Sequence, residues 1–551
     1  MSNDQARRTD SAGRAGRGGE LDAVVVGAGF SGIYMLERLR RMGLSVLVLE
    51  AGTDVGGTWY WNRYPGARSD SDSMVYCLSD RFSEELLKEW EWSERYPSQP
   101  EIQSYLRWVV DKLDLRRHME FGTRVVSASY VDSRHVWEVS TDAGTHVTAR
   151  FFIPAVGALS HPVVPDLPGI DTFQGQWYHS ARLPVEGVDF AGKRVAVIGN
   201  GATAVQIVPE VAKEASEVWE FVRHPYHCLP ARNHQLDEDD WREIHAHHEE
   251  IWEQARQNFL GFPYRDFLGM ASDFSAEQQQ QILEECWMTG GFPFGLCTFA
   301  DVLTDRKTND IFMSFMKEKI GQIIHDPGRA AMVTPQDPFA SKRPPLENGY
   351  YAAFNRDNVH VVDMKLSPIT EITSSGIRTR EREYEVDIIL LATGFDAFTG
   401  SLLNMGIVGR GGLTLSEKWA GGPRDYLGLM VHGFPNMFML YCGPFNPAIL
   451  MNAPTLIEQQ GEWIAGCIEH LRASGCQYIE PQQEAEDQFL ALHEAVASAT
   501  LIPETSSWWT GTNVEGKAHG LLSWCGGFPE YRRMCDEAAS TGYSTFAVGA
   551  G

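Results

Sequence analysis

The sequence predicts an α/β fold, and two similar segments of the chain are the basis for this prediction. Residues 23–26 are a short apolar run typical of a buried strand, and a glycine-rich turn, a helical pattern and a second apolar run follow. The same order of elements returns between residues 194 and 222. Strands that alternate with helices pair in parallel sheets. We therefore predict two Rossmann-like dinucleotide-binding domains.

The elements of the two units can be assigned in order along the chain. In the first unit we expect a strand over 23–26, a helix over 33–41 and a strand over 45–49. In the second we expect a strand over 194–198, a helix from about residue 204 and a strand over 218–222. Each glycine turn would then stand at the carboxyl end of a strand, where α/β sheets bind nucleotides.

The region between the second unit and the later strands has a different character. Tryptophan, acidic, glutamine and histidine residues follow helical spacing over residues 234–324, which predicts a mainly helical insertion. Short strands return from residue 359, and residues 388–392 form another buried apolar run. The predicted domains are a disordered tail over 1–20, a first domain over 21–160 and 376–551, and a second domain over 161–233 and 325–375.

Composition excludes several classes of protein. The chain has 551 residues, and 47 basic against 73 acidic side chains give a net charge of −26, which argues against nucleic-acid binding. No apolar run of about 18 residues is present, so we expect no membrane span. The nine cysteines are scattered without a Cys-x-x-Cys pair, which favours a reducing compartment over a disulfide framework. We expect a cytoplasmic protein.

One histidine-rich helical segment could suggest a metal. His245, His248 and Glu249 have the spacing of one helix face, but no further ligand pattern accompanies them. A solvated face explains them better, and we expect no metal site.

The first glycine turn has the context of a dinucleotide site. Gly27, Gly29 and Gly32 match G-x-G-x-x-G directly after a strand, and Glu50 ends the next strand. Glycine permits a tight turn, and the helix N-terminus attracts a pyrophosphate. The Glu50 carboxylate suits a ribose diol and would repel a 2′-phosphate. A purely structural strand–helix turn is the alternative.

The second glycine turn differs at the position that distinguishes the two ribose types. Gly199, Asn200, Gly201, Ala202 and Thr203 begin the G-x-G-x-x-A form of the motif, and Arg223 stands where the first unit has its acid. An arginine fork can pair with a 2′-phosphate. The pattern indicates FAD in the first domain and NADPH in the second, and a solvated strand-end charge is the alternative for Arg223.

Two loops outside the glycine turns carry chemistry-bearing residues. Residues 56–70 contain three glycines, a proline and several aromatic residues, and they end at Asp70. Such aromatic side chains can shield a planar ring from water, although core packing also explains Trp59 and Trp61. Lys342 and Arg343 precede two prolines, which fix an extended backbone and hold both cations on a stiff loop.

Taken together, these residues resemble the type I Baeyer–Villiger monooxygenases, in particular the phenylacetone and steroid monooxygenase branch. Residues 56–70 fit G-G-x-W-x-x-x-x-Y-P-G-x-x-x-D at every fixed position. Residues 173–184 resemble the fingerprint F-x-G-x-x-x-H-x-x-x-W-P, except that Leu183 replaces its tryptophan. That segment links the nucleotide domains, so we expect the change to affect NADPH coupling more than the reaction.

The resemblance implies an activity and a set of site residues. A ketone is converted to an ester or lactone with NADPH and O2, through a C4a-peroxyflavin and a tetrahedral peroxy adduct. Arg343 resembles the catalytic arginine and Asp70 its carboxylate partner, and residues 445–451 correspond to a pocket for a hydrophobic ketone. The implied FAD contacts are Gly27, Gly29, Ser31, Gly32, Glu50, Thr58, Trp59, Asp70, Tyr76 and Val125. The implied NADPH contacts are Gly199, Asn200, Gly201, Ala202, Thr203, Gln206, Arg223, Lys342 and Trp508.

A related flavin chemistry remains as the alternative. Flavin monooxygenases that oxidise N or S atoms share both glycine motifs but do not need an arginine such as Arg343. The nature of the oxygenated product distinguishes the two classes.

Overall fold

Residues 19–549 are described in a computed structural model of the chain. Apart from Gly19 and Glu20, the tail predicted over residues 1–20 lies outside the described residues. The strands are β1 (Leu21–Val26), β2 (Val46–Glu50), β3 (Met119–Phe121), β4 (Val125–Val131), β5 (Val136–Thr141), β6 (His146–Pro154), β7 (Gln176–His179), β8 (Arg194–Ile198), β9 (Glu217–Val222), β10 (Leu229–Pro230), β11 (Leu346–Glu347), β12 (Val359–Asp363), β13 (Ile369–Ile372), β14 (Gly376–Thr379), β15 (Glu383–Glu385), β16 (Ile388–Leu391), β17 (Ile407–Val408), β18 (Tyr478–Pro481) and β19 (Phe546–Gly549).

The α-helices surround these strands and form most of the insertion. They are α1 (Phe30–Arg41), α2 (Thr58–Trp61), α3 (Asp80–Glu89), α4 (Gln99–Lys112), α5 (Ala202–Val211), α6 (Glu238–Ala246), α7 (His248–Gln257), α8 (Ala276–Thr289), α9 (Pro293–Leu296), α10 (Arg306–Ile323), α11 (Pro327–Val333), α12 (Tyr350–Ala353), α13 (Thr399–Leu403), α14 (Leu415–Lys418), α15 (Ala453–Ser474), α16 (Gln483–Ser498) and α17 (Phe528–Ser540). Helices α6 to α10 confirm the mainly helical character predicted for the insertion.

The first sheet has seven strands in the order β17-β4-β5-β6-β1-β2-β3. Strand β1 pairs in parallel with β2 on one side and with β6 on the other. Its last four residues are buried because helices and loops cover both faces. The predicted first βαβ unit is confirmed, but β4, β5 and β6 form antiparallel pairs, so this sheet is mixed.

The second sheet has five parallel strands in the order β12-β9-β8-β16-β7. It confirms the second βαβ unit, formed by β8, α5 and β9. It also corrects the predicted boundary at residue 376, because β16 pairs with β8 and β7 and does not join the first sheet. Residues 388–391 therefore belong to the second domain. Their continuous apolar run fits either sheet, so the sequence pattern alone did not distinguish them.

The insertion has an aromatic core that Phe339 of the second domain completes. Phe294, Phe312 and Phe339 are fully buried, and the rings of Phe312 and Phe339 stack with their centroids 5.0 Å apart. Because Phe339 lies just before Lys342, this core supports the loop that carries Lys342 and Arg343. Within residues 19–549, no helix has both the length and the apolar character needed to cross a membrane.

Candidate active site

The first glycine turn lies against the end of a neighbouring strand. Gly27 has a φ of +108°, and a β-carbon there would lie 2.6 Å from the carbonyl oxygen of Ala155, which follows β6. Only glycine fits this approach. The buried Glu50 carboxylate accepts hydrogen bonds from the backbone N–H groups of Ala28 and Gly52, both at 2.6 Å. Burial raises the pKa of Glu50, and these two donors partly counter the effect.

The second glycine turn repeats this geometry. Gly199 has a φ of +115°, and a β-carbon there would lie 2.3 Å from the carbonyl oxygen of Ala392, just after β16. At Gly201 a β-carbon would meet no atom within 4 Å, which leaves space beside the turn. The Asn200 amide donates to the hydroxyl of Tyr350 at 2.8 Å. This hydrogen bond fixes the turn against the start of α12.

Both turns fit a dinucleotide pyrophosphate. Helix α1 begins after Gly29 and helix α5 begins after Gly201, and no side chain caps either N-terminus. Neither helix has an acidic residue in its first turn. The first-turn N–H groups are therefore free of side-chain acceptors, and the positive end of each helix dipole faces the turn.

Cationic side chains gather where β9 and β12 end. Arg223 is exposed directly after β9, whereas Lys342 is buried and donates to Asp337 at 2.5 Å. Burial lowers the pKa of His224, and the positive charges of Lys342, Lys365 and Arg223 lower it further, so these groups lie close together. In a chain with a net charge of −26 such a group is well suited to an anion such as a 2′-phosphate.

Arg343 and Asp70, which are 273 positions apart in the sequence, form a bidentate ion pair. Nε of Arg343 donates to Oδ2 of Asp70 at 2.6 Å, and Nη2 donates to Oδ1 at 2.8 Å. Nη1 donates to the carbonyl oxygen of Ile449 at 3.0 Å, and Cζ lies 4.7 Å from the ring centroid of Phe292. Burial opposes the charged form, but the Asp70 carboxylate outweighs it and raises the pKa of Arg343. The guanidinium is a fixed positive charge.

Aromatic side chains surround this ion pair. The indole N–H of Trp59 donates to the hydroxyl of Tyr76 at 3.1 Å, and their rings meet edge-on with centroids 5.7 Å apart. Burial raises the pKa of Tyr441 to about 12; Arg343 counters this rise and Asp70 adds to it. Burial raises the pKa of Tyr76 as well, so both tyrosine hydroxyls stay protonated at neutral pH.

Comparison with known proteins decides the family. The Flavin-binding monooxygenase-like family matches residues 22–227. A Baeyer-Villiger monooxygenase of Pseudooceanicola batsensis is 41% identical over 96% of this chain and 96% of its own. The chain belongs to the Baeyer–Villiger monooxygenases. This confirms the family predicted from the sequence.

Other relatives of this Baeyer–Villiger monooxygenase differ in the reactions that their names state. An acetone monooxygenase (methyl acetate-forming) of Gordonia is 41% identical, with 96% of this chain and 99% of the relative covered. A phenazine N-monooxygenase of Lysobacter antibioticus is 39% identical over 96% of this chain and 97% of its own. Similar sequences therefore occur in carbon and in nitrogen oxygenation.

Solved structures share the whole fold. An oxidised steroid monooxygenase bound to NADP matches with a TM-score of 0.92 and 42% identity, covering 97% of this chain and 100% of that one. A complex of OTEMO with FAD and NADP matches with a TM-score of 0.92 and 40% identity, covering 96% and 99%. The predicted α/β fold with two dinucleotide-binding domains is confirmed.

The remaining predicted residues of this monooxygenase lie at element ends around the two turns. Ser31 and Gly32 are in the first turn of α1, Thr58 begins α2, Val125 begins β4, and Ala202 and Thr203 begin α5. Trp508 is half-buried. Its segment contacts the loop over residues 339–346, here called the arginine loop, because the Thr505 hydroxyl donates to the Ser341 hydroxyl at 2.7 Å.

Gln206, which we predicted as an NADPH contact, also forms hydrogen bonds with the first domain. Its amide oxygen accepts a hydrogen bond from the Tyr64 hydroxyl at 2.9 Å, and its amide nitrogen donates to the Arg68 carbonyl at 3.1 Å. Both partners belong to the loop over 56–70, so Gln206 joins the two domains. Its position one turn into α5 points it toward this loop.

The side chains of His245 and His248, in the histidine-rich segment, form local contacts within α6 and α7. Nδ1 of His248 donates to the carbonyl oxygen of His245 at 3.0 Å, and the His245 ring packs 5.4 Å from that of Trp241. Among residues 19–549, no three His, Cys, Asp or Glu side chains form a group suited to a metal.

Sequence reasoning missed several residues around Arg343. Phe292 and Tyr264 come from the insertion, and Asp72 and Arg95 flank the loop that carries Asp70. Of these residues, only Asp72 could have been suspected from the sequence, because it stands two positions after Asp70. The others are ordinary residues that only the tertiary fold brings near.

Glu220 gives this monooxygenase a stability that depends on pH. Complete burial raises the pKa of its carboxyl to about 8, and the Tyr350 hydroxyl, 3.0 and 3.1 Å from its two oxygens, only partly counters this. Between pH 4.5 and about 8 the folded protein keeps a proton that the unfolded chain has lost, so stability falls as pH rises. We expect Glu220→Gln to stabilise the protein by roughly 3 kcal/mol more at pH 8 than at pH 5.

Urea unfolding at the two pH values measures this effect. Glu138→Gln on the exposed face of β5 is the matched control, because Glu138 is exposed and forms only a surface ion pair with Arg134. An equal change at both pH values in Glu220→Gln contradicts the assignment.

Proposed function

We propose that this chain oxygenates ketones to esters or lactones with NADPH and O2. The observation that carries the proposal is the half-buried Arg343–Asp70 ion pair, held between the loop of the first domain and the insertion. Both glycine turns fit dinucleotides, which supports the use of FAD and NADPH. When bound, FAD supplies the activation of O2 and NADPH supplies the reducing equivalents.

Each turn would hold its own cofactor. The proposed FAD contacts are Gly27, Gly29, Ser31, Gly32, Glu50, Thr58, Trp59, Asp70, Tyr76 and Val125. The proposed NADPH contacts are Gly199, Asn200, Gly201, Ala202, Thr203, Gln206, Arg223, Lys342 and Trp508. Arg223 and Lys342 would neutralise the 2′-phosphate, which NADH lacks.

Arg343 is the proposed catalytic residue. Oxygen insertion beside a carbonyl places negative charge on the carbonyl oxygen, and a fixed guanidinium stabilises that charge without reorganising solvent. One such preorganised contact is worth about 3–4 kcal/mol. Asp70 aligns the guanidinium through two hydrogen bonds, and Phe292 and Ile449 fix it from the other sides.

A hydrophobic ketone is the proposed substrate class. The main chain of Ile449 contacts Arg343, and Phe445, Ile449 and Met451 are buried in the same segment. Apolar side chains next to a cation suit a substrate that has one polar carbonyl on an apolar body.

Product analysis tests the function. The purified protein, loaded with FAD, is incubated with NADPH, isotopically labelled O2 and a panel of ketones, with a phenazine and a thioether in parallel. We expect esters or lactones that gain one labelled oxygen atom. N- or S-oxides without any ester support the alternative chemistry. The phenazine is included because one relative is named a phenazine N-monooxygenase.

A cytoplasmic location is part of the proposal. All nine cysteines are free thiols, and eight of them are buried. This agrees with a reducing compartment, and fractionation of the native host with an antibody tests it.

A further inference from the structure

A second ion pair lies beside the catalytic one. Asp72 is 2% exposed, and Nε of Arg95 donates to its Oδ1 at 2.6 Å. Arg95 also donates through Nη1 to the carbonyl oxygen of Thr289, the last residue of α8, at 3.0 Å. The segment that carries Asp70 is therefore tied to Arg95 by a largely buried salt bridge, and Arg95 reaches the insertion through the Thr289 carbonyl.

Tyr264 completes this connection from within the insertion. Its hydroxyl donates to Oδ2 of Asp72, so both oxygens of that buried carboxylate are used. Its ring stacks on Phe262 with centroids 5.3 Å apart and an interplanar angle of 7°. Phe262 in turn packs against Phe292 at 5.4 Å, and Phe292 is the ring beneath Arg343.

These contacts form a closed ring of side chains. Arg343 pairs with Asp70, and the backbone leads from Asp70 to Asp72, two positions later. Asp72 accepts a hydrogen bond from Tyr264, whose ring stacks on Phe262. Phe262 packs against Phe292, and Phe292 contacts Arg343 again. We propose that Asp72 and Tyr264 are positioning residues for Arg343. On this proposal, which rests on the proposed function, the insertion serves to fix the catalytic cation.

Charge gives a second reason for this arrangement. The cluster contains two carboxylates, Asp70 and Asp72, and two guanidiniums, Arg343 and Arg95. Because Arg95 is neutralised by Asp72, the Asp70 carboxylate is left to align Arg343 alone. Removing the Asp72 charge would leave the largely buried Arg95 without its counterion beside this cluster.

Tyr264→Phe tests the proposal because it removes one hydroxyl and keeps the ring stack. We expect kcat for ester formation to fall roughly tenfold, with the KM for the ketone changed less than about twofold. We also expect faster hydrogen exchange in residues 339–346 of the protein without substrate. Asp72→Asn removes the negative charge and leaves one acceptor oxygen for the two donors, so its loss in kcat should be roughly a hundredfold; if it fails to fold, Tyr264→Phe decides alone.

The control is Tyr130→Phe, which removes a buried hydroxyl that contacts His135 in the first sheet at 3.1 Å. An unchanged kcat or unchanged exchange in Tyr264→Phe overturns the proposal, and so does an equal effect in Tyr130→Phe. If the wild type forms no ester from any ketone, the proposed function fails. The exchange experiment then still shows whether Tyr264 holds the arginine loop.

Discussion

Arg343→Ala is expected to lower ester formation by roughly a hundred- to a thousandfold. The guanidinium contacts the Asp70 carboxylate in bidentate fashion and donates to the Ile449 carbonyl. Its removal leaves the charge that develops on the carbonyl oxygen without a preorganised partner. Cofactor binding should persist, because the glycine turns and helix N-termini that hold the cofactors do not depend on Arg343.

Three measurements separate the possible effects of this change. They are FAD content of the purified protein, the rate at which NADPH bleaches the flavin absorbance, and the yield of ester per NADPH consumed. We expect only the last to collapse. Arg343→Lys keeps the charge without the fork and should recover a part of the yield.

Arg242→Ala is the matched control for Arg343, because Arg242 is an exposed arginine of α6 that forms a surface ion pair with Asp239. An Arg343→Ala variant with ester yield within about tenfold of the wild type contradicts the catalytic role.

The two nucleotide turns could be predicted from the sequence because their requirements are local. Gly27 and Gly199 each adopt a positive φ and lie against the carbonyl that follows a neighbouring strand. Glycine is required at both positions, and a motif of six residues is enough to predict it. The order of strand, turn and helix is local as well, so both βαβ units are found where the apolar pattern places them.

Other features depend on residues that are distant in sequence. The apolar run over Ile388–Leu391 fits any buried parallel strand, and only pairing with β8 and β7 assigns it to the second sheet. Gln206 follows a nucleotide motif, yet its amide is used by Tyr64 and Arg68. No local pattern encodes either choice.

The candidate catalytic pair lies between these extremes. Asp70 and Arg343 are 273 positions apart, and no periodicity or spacing connects them. The resemblance to a family suggested the pair, and the structure brings the two side chains together. The contact between Tyr264 and Asp72 had no such guide, because the two residues are 192 positions apart and no motif connects them.

Arg223→Ala is expected to raise the KM for NADPH roughly ten- to a hundredfold and the KM for NADH less than about twofold. A charge-assisted hydrogen bond contributes about 1.5–3 kcal/mol, and only NADPH has the phosphate that receives it. Arg223 is exposed at the end of β9 beside Lys342 and Lys365, where a dianionic phosphate would relieve the mutual repulsion of the cations.

Steady-state kinetics with both nucleotides, and binding of 2′,5′-ADP against 5′-AMP to the same variant, measure this selectivity. Lys213→Ala is the control, because Lys213 is an exposed cation just after α5 whose ammonium pairs with Glu210 at 2.7 Å. Because the attraction is electrostatic, the wild-type preference for 2′,5′-ADP should shrink at high salt, whereas Arg223→Ala should show little preference to lose. Equal losses for NADPH and NADH would place Arg223 outside the phosphate site and leave Lys342 as the remaining candidate for recognising it.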